Sequence, residues 1–122
     1  MSSILTSIKL KIDLPESVTS FDDVIIDHIN NALSNARMLG VGKPEVPLII
    51  SSKSDEWETY FDNSTVEQLE LLSMVKSFIY YSVKLAFDPP QQTNHLEVIK
   101  ELRDEVTWKI NAAVEGGLSS ES

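Results

Sequence analysis

The chain contains no cysteine, which excludes disulfides, thiolate metal sites and a cysteine nucleophile. Glycine and proline are sparse, four and five among 122 residues, so neither a collagen-like nor a low-complexity segment is expected and order should extend through most of the chain. Bases are also in short supply. Ten Lys and Arg stand against 19 Asp and Glu, a formal charge of -9 that repels phosphates and argues against a duplex-binding surface. No stretch approaches the roughly 18 continuous apolar residues of a membrane span. The opening Met1-Ser-Ser-Ile-Leu-Thr-Ser-Ile-Lys9 has neither the basic lead nor the long apolar core of a secretory signal. A soluble protein is expected, compatible with an intracellular assembly.

What is present is helical periodicity cut by clear stop signals. Ser2 or Ser3 can cap a short helix carrying Ile4, Leu5 and Ile8, closed near Pro15. Ser20-Phe-Asp-Asp23 has the form of a capping box and opens a run to Gly40, with Phe21, Ile25, Ile29, Ala32, Ala36 and Leu39 on one stripe. From Val41 to Asn63 the pattern breaks around Gly42, Pro44 and Pro47. Leu48-Ile49-Ile50 reads as a short strand or extended arm, and Ser54 as the cap of one turn holding Trp57 and Phe61. A connection this long in a small domain is the expected place for partner contacts.

Ser64-Thr-Val-Glu67 reads as a second capping box. The following helix is apolar over more than half its circumference, from Leu69 through Leu72, Val75, Phe78, Ile79 and Val83 to Ala86, and should be central. It must stop at Phe87 or Asp88, because Pro89 and Pro90 disfavour the α region before them and supply no amide donor. Thr93 or Asn94 then caps a last helix with Ile99, Leu102, Val106, Ile110 and Ala113 in a stripe, ended by Gly116-Gly117. The predicted fold is an all-α bundle of three to four helices with a long irregular loop between the second and third main ones: a single domain over 1-115 and a flexible tail over 116-122.

Catalytic chemistry finds little to work with. His28 borders an apolar stripe, His95 sits at a helix start, and neither has a helical i, i+4 histidine partner for zinc. Asp22, Asp23 and Asp27 resemble a metal cluster or an acid/base pair, but helix N-termini attract acids for electrostatic reasons alone. There is no phosphate-cradling glycine loop, nucleophile elbow or calcium loop. The aromatic group Phe78, Tyr80, Tyr81 and Phe87 fits core packing better than a cofactor site. No catalytic residue, metal or cofactor is therefore assigned, and the chain is read as a non-enzyme.

Two tryptophans stand out. Trp57 and Phe61, one turn apart in a polar stretch, either staple the loop to the bundle or anchor a partner. Trp108 falls about 200° around the last helix from Val106, among Glu97, Glu101, Asp104 and Glu115. Either another element covers that face or Trp108 meets a neighbouring subunit.

Tyr80-Tyr-Ser-Val-Lys-Leu-Ala-Phe-Asp-Pro-Pro90, with Glu101-Leu102 on to Trp108-Lys-Ile110, resembles the C-terminal signature of head-tail connector proteins of tailed bacteriophages. Phe21-Asp-Asp-Val-Ile-Ile-Asp-His-Ile-Asn30, Leu39-Gly-Val-Gly42 and the isolated Trp57 agree with that family in style, so the resemblance spans residues 1 to about 112. It implies a structural virion protein, made in the bacterial host cytoplasm and placed at the head-tail junction. Such a protein forms a homo-oligomeric ring, commonly of twelve copies, beneath the portal protein. The ring extends the channel through which DNA passes without specific binding, and docks a downstream connector or tail-completion protein. Candidate subunit or portal contacts are Leu48, Ile49, Ile50, Trp57, Phe61, Glu101, Asp104 and Trp108, with Phe87, Asp88, Pro89 and Pro90 structural. Two other readings stay open: an acidic helical regulatory or inhibitor protein binding a basic partner, and a hydrolase built on Asp22, Asp23 and Asp27.

Overall fold

The computed structural model describes residues 3–116. Most of the expected tail, residues 117–122, and the alternative cap Ser2 lie outside that range. The architecture is all-α: α1 (Ile4–Lys11), α2 (Asp22–Met38), the one-turn α3 (Trp57–Tyr60), α4 (Val66–Phe87) and α5 (Thr93–Glu115). The central helix is α4, which packs along α5 and α2 and also meets α1. It earns that place by composition: Leu71, Leu72, Val75, Phe78, Ile79 and Val83 are all buried, spread too widely around the axis for one neighbour to cover. Facing them are Ile25, Ile29 and Leu33 of α2 and Ile110 of α5, each withdrawn from water. A fully buried side chain of this size contributes roughly 1.5–3 kcal/mol by transfer alone.

The helix ends show where local signals held and where distant partners overrode them. Ser3 caps α1 and accepts from the Thr6 amide at 3.2 Å. At α2 the expected box on Ser20 does not form; the N-cap residue is Phe21, without a side-chain bond. The reason lies in α1. Lys9 is only 2% exposed, and its Nζ donates to the carbonyls of Glu16 (3.2 Å) and Val18 (2.6 Å) and to Asp22 Oδ1 (2.8 Å). This buried ammonium gathers the α1–α2 connection around itself and engages the first acid of α2.

The second box forms one residue later than expected. Thr65 accepts from the Gln68 amide (3.1 Å), while Gln68 Oε1 accepts from the Ser64 and Thr65 amides and the Ser64 hydroxyl. Gln68 wins over Glu67 because only the third residue after the cap can reach back to it. At the far end α4 stops at Phe87 as the proline pair requires; Asp88 takes φ -144°, ψ 65°, and Lys84 pairs with its carboxylate at 2.9 Å. Helix α5 begins at Thr93, so Thr93 is its first residue rather than its cap, which is Gln92.

Phe21 leaves the buried stripe assigned to it. It is 46% exposed and meets Phe87 edge to face, with ring centroids 5.6 Å apart. His28 lies 6.4 Å from the same Phe87 ring.

Candidate assembly surface

The long connection between α2 and α4 is held from inside by polar side chains of α2. Asn30, Leu33 and Arg37 are spaced to share one side of that helix at about 100° per residue. Asn30 reads Ile50 as a strand would, accepting its amide at Oδ1 (2.8 Å) and donating from Nδ2 to its carbonyl (3.0 Å). The Arg37 guanidinium donates to the carbonyls of Val41 (3.3 Å), Lys43 (3.0 Å) and Val46. Between these clamps the backbone turns at Gly40 and Gly42, both with φ above 90°. A Cβ on Gly42 would stand 2.9 Å from Leu48 Cδ2, so Leu48 packs where only glycine leaves room.

The outer part of the loop closes on α1. The Ile4 amide donates to the Asp55 carbonyl at 3.0 Å, and Ser3 and Glu56 form an isolated antiparallel bridge. The Asp55 carboxylate accepts from the amides of Ser51 (2.7 Å) and Ser52 (3.1 Å) and from the Tyr60 hydroxyl (3.1 Å). The Ser51 amide does most to hold the Asp55 carboxyl below its ordinary range, against an opposing effect of burial, with Ser52 and Tyr60 adding to the lowering. Burial, then the hydrogen bond and charge of Asp55, push the Tyr60 phenol up to about 12.

Trp57 completes the seal. It is wholly buried, donates from Nε1 to Ser7 Oγ at 3.3 Å, lies 6.1 Å from the Phe61 ring and carries Lys76 Nζ 5.5 Å from its own centroid. Of the two roles open to Trp57 and Phe61, stapling is the one this geometry displays. Both rings and Ile50 are buried within the subunit, so the surface contact expected of them has no exposed side chain to make it. Leu48–Ile50 forms no strand, and the single helical turn is preceded by Glu56 rather than capped by Ser54. Ile49 alone of that triplet faces out, at 61% exposure.

Helix α5 presents the opposite case. Val106 and Ile110 are its buried residues, and they set the direction of α4. Trp108 points about 180° from the middle of that stripe and is 70% exposed. Within about 60° of it around the helix stand Glu97, Glu101, Asp104, Glu105 and Glu115, all exposed, and no Lys or Arg. Trp108, Glu101 and Asp104 are thus brought onto one face. The grooves on either side of the α4–α5 contact are shallow and mixed in character, one lined by Phe78, Arg103 and Thr107, the other by Tyr81, Leu102 and Lys109.

The acids once considered for catalysis are not gathered: among the described residues no group of three or more His, Asp or Glu is placed to hold a metal ion. Asp22 is engaged by Lys9, and every buried side-chain N and O among the described residues has a hydrogen-bond partner. No described helix is long and apolar enough to cross a membrane. Sequence reasoning missed Lys9, Asn30 and Arg37. Their signal was phase: each flanks an apolar stripe at a helical position where a solvated side chain is not expected.

Comparison with curated proteins and with solved structures returns no match. The family of phage connector proteins does match, over residues 4–117, a span that takes in all five helices and both tryptophans. The chain belongs to the phage connector protein family.

Proposed function

We propose that this connector is the adaptor between head and tail: a structural, non-catalytic virion protein whose single helical domain, residues 1–115, assembles as a ring beneath the portal. In that position it extends the DNA channel and docks the next connector or tail component. The observation that carries this reading is the family match across the whole helical bundle, which assigns a connecting role to the fold rather than to a small motif within it. Three features support the finer assignment. An adaptor in a ring meets both its own copies and a different protein, through separate patches, and the chain offers Ile49 on the loop and Trp108 with Glu101 and Asp104 on α5 as separate exposed positions. Trp108 is an aromatic of the type enriched where partners bury surface. A charge of -9 per subunit, repeated around a lumen, repels the DNA backbone and limits adhesion during passage.

Purified protein mixed with portal-bearing capsids and imaged tests the proposal. Added density of ring symmetry at the portal vertex is expected, with light scattering showing species larger than a monomer as concentration rises or portal is added. A chain that stays strictly monomeric and ignores portal rings would overturn the reading. An acidic inhibitor of a basic protein would behave in that second way, so the same measurement separates the two.

A further inference from the structure

We infer that the Trp108 face of α5 docks a basic segment of a different protein, one presenting Arg or Lys beside an apolar side chain, rather than a second copy of this chain. The inference rests on the assembly reading only in taking this face to be an interface; it does not require a ring.

Charge decides between the two occupants. Trp108 is 70% exposed at the centre of a helix face whose ionisable groups are all acids: Glu97, Glu101, Asp104, Glu105 and Glu115. A second copy would have to meet that face with positive charge, and the chain keeps its bases for itself. Lys9, Arg37 and Lys43 bond internal carbonyls. Lys84 pairs with Asp88, and Lys100, Arg103 and Lys109 pair with Glu97, Asp104 and Glu105 of this same face, whose five acids still exceed the bases beside them by two. Lys11 and Lys76 lie over the rings of Tyr80 and Trp57. That accounts for nine of the ten Lys and Arg, so any homotypic contact at Trp108 sets acids against a surface with little positive charge to offer.

A basic partner meets no such obstacle. Its cations would be steered toward α5 by the excess of acids and would pair first with Glu101 and Glu115, which make no internal ion pair among the described residues, and then compete for the weakly held Asp104. An Arg or Lys can stack on the indole of Trp108 as a cation–π contact, while an apolar neighbour covers the rest of the ring. The acids around the ring exclude like-charged surfaces, which is how charge gives specificity more than raw affinity.

The full chain is titrated with a synthetic peptide rich in arginine and leucine, and with the same peptide carrying glutamate in place of every arginine. Iodide quenching of Trp108 is read as the difference between the wild type and Trp108→Phe. The basic peptide is expected to protect Trp108 and to bind more weakly as salt rises, whereas the acidic peptide does neither. Trp108→Ala should weaken binding about 30-fold, in the range of an aromatic hot spot. The pair Glu101→Gln with Asp104→Asn should weaken it about tenfold, against less than twofold for the equally charged control Glu45→Gln with Glu70→Gln, which lies off α5. Absence of protection, equal binding of the two peptides, or equal loss in the control pair overturns the inference. So does protection of Trp108 by self-association of the chain alone, seen by sedimentation. That last measurement reports self-assembly without any peptide, so failure of the ring and failure of this docking face are read separately.

Discussion

The two tryptophans predict opposite consequences of the same substitution. Trp57 is wholly buried. A buried Trp removes about 200 Å² from water, worth about 5 kcal/mol at ~25 cal/mol per Å² as an upper bound. Truncation to Ala leaves a cavity between α1 and the loop, removes the indole donor from Ser7 Oγ, which keeps only its bond to the Ser3 carbonyl, and removes the ring under Lys76; the expected cost is about 3–5 kcal/mol. For a domain of this size that is about half of the total stability. Trp108 buries little, and alanine is a better helix former by about half a kcal/mol, so Trp108→Ala should lie within about 0.5 kcal/mol of the wild type. Urea melts followed by circular dichroism check both. With m near ~1.5 kcal/mol per M, the Trp57 variant should melt about 2–3 M earlier and the Trp108 variant at the wild-type midpoint. A Trp57→Ala midpoint within about 0.3 M of the wild type, or a Trp108→Ala loss above about 2 kcal/mol, would refute the assignment of one ring to the fold and the other to the surface.

Lys9→Met should destabilise the chain by about 2–4 kcal/mol in the same melts, because it strips a charge-assisted donor from two carbonyls and a carboxylate at once. Asp22→Asn should cost about 1–2 kcal/mol, since an amide oxygen still accepts and the two carbonyls still solvate the ammonium; the reverse order would overturn the view of Lys9 as the organiser of that turn. Stability should also depend on pH through Asp55 and Tyr60. The folded-state pKa of Asp55 is lowered, so its contribution is complete above an unfolded value of ~3.9 and is lost as pH falls through the lowered one. The Tyr60 pKa is raised to about 12, so its contribution is complete below an unfolded value near ~10 and is lost as pH climbs from there toward the folded value. Asp55→Asn should flatten the acid limb of a plot of melting midpoint against pH; an unchanged limb would show that the Ser51 and Ser52 amides do not hold the carboxylate.

Legibility of this fold from sequence followed the range of the interactions. The stop at Phe87 and the outward phase of Trp108 depend on residues within a turn or two, and both could be read directly. The cap of α2 could not, because Asp22 answers to a lysine thirteen positions earlier. The burial of Trp57 was equally hidden: Ser7, which its indole bonds, is fifty residues away. The loop reads as a place for partner contacts because the helical pattern breaks at Gly42, Pro44 and Pro47, yet its order comes from Asn30 and Arg37, written into α2 rather than into the loop. A side chain's helical phase shows whether it faces the core; it does not show what the core will place there.

That distinction sorts the substitutions of α5. Val106 and Ile110 face α4, so changes there act on the fold and reach assembly only by unfolding the subunit. Glu101, Asp104 and Trp108 face away, with no described residue over Trp108 to hold it, so changes there should leave the fold intact and, on the docking proposed above, act on the partner. Leu102 and Arg103 stand at the seams, each lining a groove beside α4, and their substitution should affect both. The adaptor role proposed above asks for rigidity along one edge and adhesion along another. A single long helix achieves both because its two faces lie about 180° apart at 100° per residue, so the packing that fixes one leaves the other free to meet a partner.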